Sequence, residues 1–134
     1  MFEFLKRKKP AIGEVMKDGS VFAGISPDTG KRMYTTPQDS PLRQAWDDAK
    51  KYASELRAHG RKDWRMPTQG ELRVLFNNRA AIKNFDVDYV SPKTWYWSST
   101  VEKDAFYARV QCFSNSVEGY NPKHMMSSLR CVRG

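Results

Sequence analysis

The most informative stretch of this sequence is Asp63-Trp64-Arg65-Met66-Pro67-Thr68-Gln69-Gly70-Glu71-Leu72. Thr68 and Glu71 stand three residues apart before an apolar run, which is the pattern of a capping box. In a capping box each of these side chains accepts a hydrogen bond from a backbone N–H that the start of a helix leaves without a partner. Pro67 is placed to pack on Leu72 across the same turn. The stretch therefore predicts a helix that begins at Thr68, buries its apolar side and fades between residues 77 and 82.

A second amphipathic helix is predicted before this stretch. Ser40-Pro41 is a helix-start signal, with serine as the N-cap and proline at the first helical position. His59-Gly60 supplies a glycine suited to the helix end, where His59 would meet the helix dipole. Apolar residues recur at helical spacing at Leu42, Ala45, Trp46, Ala49, Ala53 and Leu56. We expect this face to lie on a sheet and the opposite, charged face to meet water.

The remainder of the chain shows strand and turn signals. Asp18-Gly19 favours a tight hairpin turn, and Cys112 closes an alternating strand whose apolar face also carries Phe106, Ala108 and Val110. Strands are predicted at residues 13–16, 20–25, 32–36, 95–99, 105–113, 117–120 and 127–132. The pattern predicts an α+β fold in which two helices pack on a small twisted antiparallel sheet with long loops.

Length and charge set further bounds. The chain has 134 residues and a formal charge of +8, which predicts a basic flexible tail at residues 1–10 and a single domain at residues 11–134. No apolar run is long enough to span a membrane, and the mean hydropathy is −0.73. The tail lacks the apolar segment of a signal peptide, so we expect a cytoplasmic or phage-associated protein.

The positive charge does not indicate a nucleic-acid partner. Seven of the 23 basic residues lie in residues 57–83, but they form no nucleic-acid-binding motif. Four cations and three apolar residues in the tail would give at most weak, salt-sensitive contact with a membrane surface.

Three separated motifs carry a resemblance that spans about residues 13–133. They are Asp63 to Thr68 with Glu71-Leu72, then Trp97-Ser98-Ser99-Thr100, and finally Leu129-Arg130-Cys131-Val132-Arg133. Together they resemble the collagen-like-protein C-terminal domain family of bacteria and phages. That family is similar to the C-type-lectin-like fold, and to the related folds of formylglycine-generating enzymes and of retroelement variable proteins. The resemblance implies this fold, with structural roles for Trp64, Arg65, Pro67, Thr68, Glu71 and Trp97.

Cys112 and Cys131 are expected on the apolar faces of neighbouring strands. Three states remain open for this pair: buried reduced thiols, a structural disulfide in an oxidising compartment, or a reactive pair like that of formylglycine-generating enzymes.

Metal and catalytic sites are not indicated by the remaining motifs. The two histidines are far apart and have no further ligand at zinc spacing. Lys123 stands in Asn121-Pro122-Lys123 where calcium-dependent lectins have an acid, although a separate acidic group in the loops is left open at Asp86, Asp88, Glu102 and Asp104. We predict no catalytic residue, no metal and no cofactor.

The loops between the last strands are rich in Tyr, Asn and Ser, which is the composition of adaptable binding surfaces. The resembling retroelement proteins carry their ligand-contacting residues in these loops. The candidate ligand-binding residues are Tyr107, Asn115, Tyr120, Asn121, Lys123 and His124. We therefore expect a non-enzymatic module that binds a protein or glycan through residues 84–128. The alternatives are a virion or secretion-associated structural protein, and a copper- or thiol-dependent oxidase of the formylglycine-generating type.

Overall fold

The computed structural model describes residues 9–102 and 104–134, so residues 1–8 of the predicted tail lie outside it. The α+β class is confirmed, but the strands form two small antiparallel sheets rather than one. The helices are α1 (Trp46–Glu55), α2 (Gln69–Asn77) and α3 (Arg79–Ile82), and a short 3-10 helix spans Pro92–Thr94. The strands are β1 (Val21–Ile25), β2 (Arg32–Thr35), β3 (Trp95–Val101), β4 (Tyr107–Cys112), β5 (Glu118–Pro122) and β6 (Val132–Arg133).

The first sheet has the order β1–β2–β6 and brings the C-terminal strand beside the N-terminal hairpin. The strand predicted at residues 13–16 is reduced to one bridge, between Val15 and Val21. Val15 is exposed, so this segment buries no apolar face that would hold it as a full strand. The turn predicted at Asp18-Gly19 is present, because Gly19 adopts a φ of +91° and its N–H bonds the Met16 carbonyl.

The second sheet has the order β3–β4–β5, with Trp97 opposite Val110. Residues 127–131, predicted as most of a strand, instead run between the two sheets. The Trp97 N–H donates to the Ser128 carbonyl, and the Ser128 N–H donates to the Trp95 carbonyl. This segment therefore joins the sheets by backbone hydrogen bonds before the chain enters β6.

Two hydrophobic cores lie on opposite sides of β3, because successive side chains of a strand point to opposite faces. Trp97 belongs to the core beneath α1, whereas Tyr96 belongs to the core beneath α2. The first core comprises Trp46, Ala49, Ala53, Trp64, Met66, Trp97, Ala108, Val110, Leu129 and Cys131. The second comprises Val21, Ala23, Met33, Leu72, Leu75, Ile82, Tyr96, Phe113 and Val132.

The helix start predicted at Ser40-Pro41 is wrong. Helix α1 begins at Trp46, and its N-cap, Ala45, makes no side-chain capping bond. The preceding residues bond to the segment 127–131 instead. The Ser40 N–H donates to the Leu129 carbonyl, and Gln44 and Ser127 exchange backbone hydrogen bonds. These long-range hydrogen bonds satisfy the backbone groups that a first helical turn would have used.

The predicted helix end is also wrong. Helix α1 stops at Glu55, and His59-Gly60 forms a separate tight turn in which both residues have positive φ. Ala58 and Arg61 exchange backbone hydrogen bonds across this turn. His59 therefore lies outside the helix terminus, and its Nδ1 lies 3.0 Å from the Asp18 carbonyl oxygen.

The capping box at Thr68 is present, and an ion pair extends it. Glu71 belongs to the first turn of helix α2, and its carboxylate has no exposed surface. It accepts two hydrogen bonds from Arg65, at 2.6 and 2.8 Å. It also accepts the Ser26 hydroxyl and the Thr68 N–H. These donors hold the pKa of Glu71 at about 2, although burial acts in the opposite direction and is the largest single influence on it. Trp64 and Pro67, from the same motif, are buried.

A fully buried arginine, Arg130, joins the loop after β2 to the loop before β3. Its Nε donates to Asp39 at 2.8 Å, and its two terminal nitrogens donate to the carbonyls of Thr36 and Lys83. Its guanidinium also lies 3.9 Å from the centroid of the Phe85 ring. Every nitrogen group of this side chain thus has a partner, as a fully buried cation requires.

Candidate functional site

The six candidate ligand-binding residues do not form one site. Asn115 lies in the turn after β4, whereas Tyr107 begins β4 at the other end of the strand. The rise of an antiparallel strand places these two ends about 17 Å apart. Lys123 and His124 follow β5 and lie near the Tyr107 end, since the Lys123 N–H donates to the Phe106 carbonyl.

The two asparagines bond within the protein. The Asn115 side chain accepts the Val117 N–H at 3.0 Å, which closes the turn between β4 and β5. Asn121 is half-buried and its amide donates to the Ser127 hydroxyl at 3.2 Å. Both side chains therefore stabilise local structure, and Asn115 is remote from the other candidates.

Aromatic side chains lie together at the open end of the β4–β5 hairpin. Phe106 packs edge-on against Tyr107 at 4.9 Å between ring centroids, and its ring is tilted against the His124 ring at 5.5 Å. About half of the Phe106 surface remains exposed (49%), as does that of Tyr120 (48%), and Tyr107 is 36% exposed. We call Phe106, Tyr107, Tyr120 and His124 the hairpin-end surface.

Tyr120 is tied to this surface from the neighbouring strand. It lies opposite Arg109 in the sheet, and the Arg109 guanidinium lies 4.6 Å from the centroid of the Tyr120 ring. Arg109 is itself paired with Glu102 at 3.1 Å. The ring is therefore held in place on one side by a cation and leaves its other side to solvent.

An open pocket of about 430 Å³ adjoins the hairpin-end surface. It lies between the first turn of α1 and the two loops at the open end of the hairpin, the loop before β4 and the loop after β5. Its lining residues are Ala45, Asp47, Asp48, Ala105, Phe106, Lys123 and His124. The pocket therefore combines the Phe106 ring, two carboxylates, the Lys123 ammonium and the His124 imidazole.

Lys123 connects the pocket to the core. Its ammonium lies 4.3 Å from the centroid of the Trp46 ring, and Lys50 lies 5.0 Å from the same ring. Trp46 is almost fully buried, and its indole N–H donates to the Ser98 carbonyl at 2.9 Å. Lys123 is thus positioned by a cation–π contact with a fixed ring.

Sequence reasoning missed Phe106, Asp47 and Asp48 as site residues. Phe106 was expected on the apolar face of a strand that begins at Ala105, but β4 begins at Tyr107 and leaves the Phe106 ring half exposed. Asp47 was expected only as part of the charged helix face in water, and the sequence pattern does not single out Asp48. Asp47 and Asp48 lie in the first turn of α1, and this turn lies beside the loop that follows β5.

The two cysteines are not on neighbouring strands, contrary to the expectation. Cys112 ends β4 in the second sheet, whereas Cys131 precedes β6 in the first sheet, and both thiols are free and buried. Burial raises the pKa of the Cys131 thiol to about 12. The Cys112 sulfur lies 3.0 Å from the Ser114 hydroxyl.

Each of the four acidic loop residues has a partner within the protein, since Glu102 pairs with Arg109 and Asp104 accepts the Phe106 N–H. Asp86 accepts the Asp88 N–H and the Ser91 hydroxyl, and Asp88 accepts the Val90 N–H. Across residues 9–102 and 104–134, no group of three or more His, Cys, Asp or Glu side chains is arranged to hold a metal ion. None of the helices in the same residues is long and apolar enough to cross a membrane.

Comparison with known proteins places the chain in a family. No curated protein matches the sequence. The family model of the Lcl C-terminal domain matches residues 18–133, which include all three motifs that carried the resemblance. The chain therefore belongs to the Lcl C-terminal domain family.

Proposed function

We propose that this chain is a non-enzymatic recognition module that binds a protein or glycan ligand through the hairpin-end surface. The observation that carries the proposal is that three exposed aromatic rings lie on or directly before the paired strands β4 and β5. Phe106, Tyr107 and Tyr120 expose a third to a half of their surface at one end of the hairpin. Exposed aromatic groups of this kind supply large contact area at low cost in conformational entropy.

The surrounding structure supports a preformed surface. Tyr107 and Tyr120 lie on paired strands, so their backbones are fixed by the β4–β5 ladder. The loop after β5 is anchored by the Trp46 N–H, which donates to the Lys123 carbonyl at 2.8 Å. A rigid surface loses little freedom on binding, and this favours affinity.

A C-type-lectin-like fold is part of the same proposal. Support comes from the α+β class, the two small sheets and the pairing of β2 with the C-terminal β6. In that arrangement β5 is the edge strand of the second sheet and the loops before β4 and after β5 lie beside it, which suits a module that presents loops to a ligand.

A binding assay with paired variants tests the proposal. The double variant Tyr107→Ala/Tyr120→Ala removes two rings from the hairpin-end surface, and Tyr89→Ala removes a more exposed ring from the loop before β3. On a glycan array and in pull-downs, the double variant is expected to lose binding while Tyr89→Ala retains it. Binding of the double variant at the wild-type level to every ligand would refute the site.

A second candidate function is a structural or assembly protein of a virion or secretion system. It is favoured by the loop before β3, where Tyr89 and Val90 each expose about four-fifths of their surface. Exposed apolar side chains at a loop tip are suited to protein contacts. Tail or secretion genes beside the coding sequence would favour this function, and an isolated gene would count against it.

A further inference from the structure

Three cationic side chains converge on an open pocket beside the first sheet. Its volume of about 550 Å³ falls within the range of about 300–1,000 Å³ that is usual for small-molecule sites. Its walls come from the hairpin turn before β1, from the turn at residues 58–61 and from strands β2 and β6. The lining residues that bear on a ligand are Met16, Lys17, Asp18, Tyr34, Arg61 and Arg133. The lining includes no residue of the second sheet or of the hairpin-end surface, so a ligand here would be additional to the one proposed above.

The two turns that form one wall hold each other in place. The Asp18 carboxylate accepts the N–H and the hydroxyl of Ser20, and it also accepts the Arg61 Nε–H at 3.1 Å. The Asp18 carbonyl oxygen lies 3.0 Å from the His59 Nδ1. The bonds from Ser20 and Arg61 hold the pKa of Asp18 at about 2, so this carboxylate is charged and fixes Arg61 at the pocket.

Arg133 and Tyr34 form the opposite wall, where they face each other across β6 and β2. The Arg133 guanidinium lies 5.6 Å from the centroid of the Tyr34 ring, and its Nε donates to Asp63 at 2.8 Å. Only 14% of the Arg133 side chain is exposed, so the surrounding protein holds it in position. The pocket therefore has a fixed cation beside an aromatic ring.

Both arginines have donor groups to spare. Each bonds to a carboxylate through Nε, Arg61 to Asp18 and Arg133 to Asp63. Among the residues that the structure describes, 9–102 and 104–134, neither arginine has a hydrogen-bond partner for its terminal nitrogens. Guanidinium groups donate in a planar fork that matches the two oxygens of a carboxylate.

The charges around the pocket leave a positive excess. The lining holds three cations, Lys17, Arg61 and Arg133, against the single carboxylate of Asp18. Asp63 does not line the pocket, but its bond to Arg133 reduces the excess to one positive charge. A ligand with one negative charge balances this excess, whereas a phosphate ester dianion exceeds it.

Tyr34 and Met16 supply the apolar part of the site. Both side chains are half-buried and line the pocket beside the guanidinium groups. An aromatic ring packs well on another ring, and a thioether makes favourable contacts with aromatic groups. A ligand that combines a carboxylate with an apolar body, above all an aromatic one, uses both parts of the pocket.

We propose that this pocket binds a monocarboxylate with an apolar body, its carboxylate held by the terminal nitrogens of Arg61 and Arg133 and its body packed on Tyr34 and Met16. Lys17 adds a third cation at the exposed side of the pocket. Two sources present this chemistry, a small organic acid and the C-terminal residue of a peptide.

An NMR titration with matched probes tests this ligand class. Benzoate represents a small acid and N-acetyl-L-phenylalanine a peptide C-terminus, and the corresponding amides of both are the neutral counterparts. Acetate lacks the apolar body, and phenyl phosphate replaces the carboxylate by a dianion. We expect at least one aromatic carboxylate to shift the backbone amides of residues 16–20, 34, 61 and 133. It should bind more tightly than its amide, acetate and phenyl phosphate, and the tighter of the two carboxylates identifies the source.

Variants assign the contacts. Arg61→Gln and, separately, Arg133→Gln are each expected to weaken binding of the carboxylate about tenfold. Lys62→Gln removes the same charge from the residue beside Arg61 but does not alter the pocket lining, so it is expected to bind as wild type. A dispersed amide spectrum of each variant shows that it is folded, and the exposed Arg61 carries the test if Arg133→Gln does not fold.

Several results would overturn the assignment. They are the absence of binding by both aromatic carboxylates, equally tight binding of the amides, tighter binding of phenyl phosphate, and shifts confined to other residues. An equal loss in Lys62→Gln and Arg61→Gln would also overturn it, because the attraction would then come from general charge. The variant Tyr107→Ala/Tyr120→Ala separates the two sites. It should bind the carboxylate as wild type, and a loss there would place the carboxylate at the hairpin-end surface instead.

Discussion

The residues around Arg130 and the hairpin-end surface both combine charged groups with aromatic rings, but the first set is buried and the second is exposed. Arg130 has no exposed side-chain surface, and its guanidinium is paired with Asp39, with two carbonyls and with the Phe85 ring. The rings and charged groups around Phe106 instead contact one another and leave large fractions exposed. Groups that the protein satisfies internally hold the fold together, whereas groups it leaves open to solvent are available to a ligand.

The largest effect is expected from breaking the buried cluster. Arg130→Met removes the cation and leaves the Asp39 carboxylate without its ion-pair partner, so we expect a loss of about 3–5 kcal/mol in the free energy of unfolding. Urea denaturation measures this loss. Arg109→Met is the control, because it breaks the solvent-accessible pair with Glu102 and should cost about 1 kcal/mol or less. Equal losses in the two variants would contradict the distinction between the regions.

The second largest loss of stability is expected at Glu71, in the first turn of α2. Glu71→Gln replaces a carboxylate that accepts bonds from Arg65, Ser26 and Thr68, and we expect it to cost about 2–3 kcal/mol. A loss below about 1 kcal/mol in urea denaturation would show that the charge of Glu71 matters little.

The pH dependence of stability tests the same carboxylate. The pKa of Glu71 is about 2 in the folded protein and ordinarily 4.5, so the folded state favours its charged form. Its contribution is fully present above about pH 4.5 and is lost as the pH falls towards 2. Denaturation of wild type and Glu71→Gln between pH 6 and pH 2 should therefore show a difference that shrinks with acidity. A constant difference would contradict the depressed pKa.

A smaller effect is expected at the helix cap. Thr68→Ala removes the side-chain oxygen that accepts the Glu71 N–H but leaves the Arg65–Glu71 pair in place. We expect a loss of about 1 kcal/mol, the usual cost of removing an N-cap side chain. Thermal unfolding followed by circular dichroism measures it, and Ser54→Ala, on the exposed face of α1, provides a control with little expected change.

The sequence predicts some of these elements and not others for a physical reason. The capping box at Thr68 and Glu71 was predictable because its hydrogen bonds join residues three apart. The start of α1 was not, because the backbone around Ser40 bonds to residues 127–129, almost 90 positions away. The division into two sheets depends on the same long-range segment, and no local pattern marks it.

The candidate site shows the same limit. Composition predicts Tyr107 and Tyr120 as ligand contacts, and strand pairing places them on one face of the hairpin. The same composition predicts Asn115 as a ligand contact. Asn115 lies at the far end of the hairpin, because the length of β4 separates it from Tyr107. The exposure of Phe106 and the approach of Asp47 and Asp48 depend on how α1 packs against the loop after β5, which periodicity does not encode.

The most direct test compares folding and binding in one variant. Phe106→Ala/Tyr107→Ala removes two adjoining rings of the hairpin-end surface, and both native side chains are substantially exposed. We expect its free energy of unfolding to fall by about 1 kcal/mol, because the two rings are partly exposed and pack mainly on each other. Its affinity for a glycan or protein captured by the wild type should fall about tenfold or more. A loss of stability above about 2 kcal/mol, or unchanged binding, would contradict the claim that this surface serves recognition rather than folding.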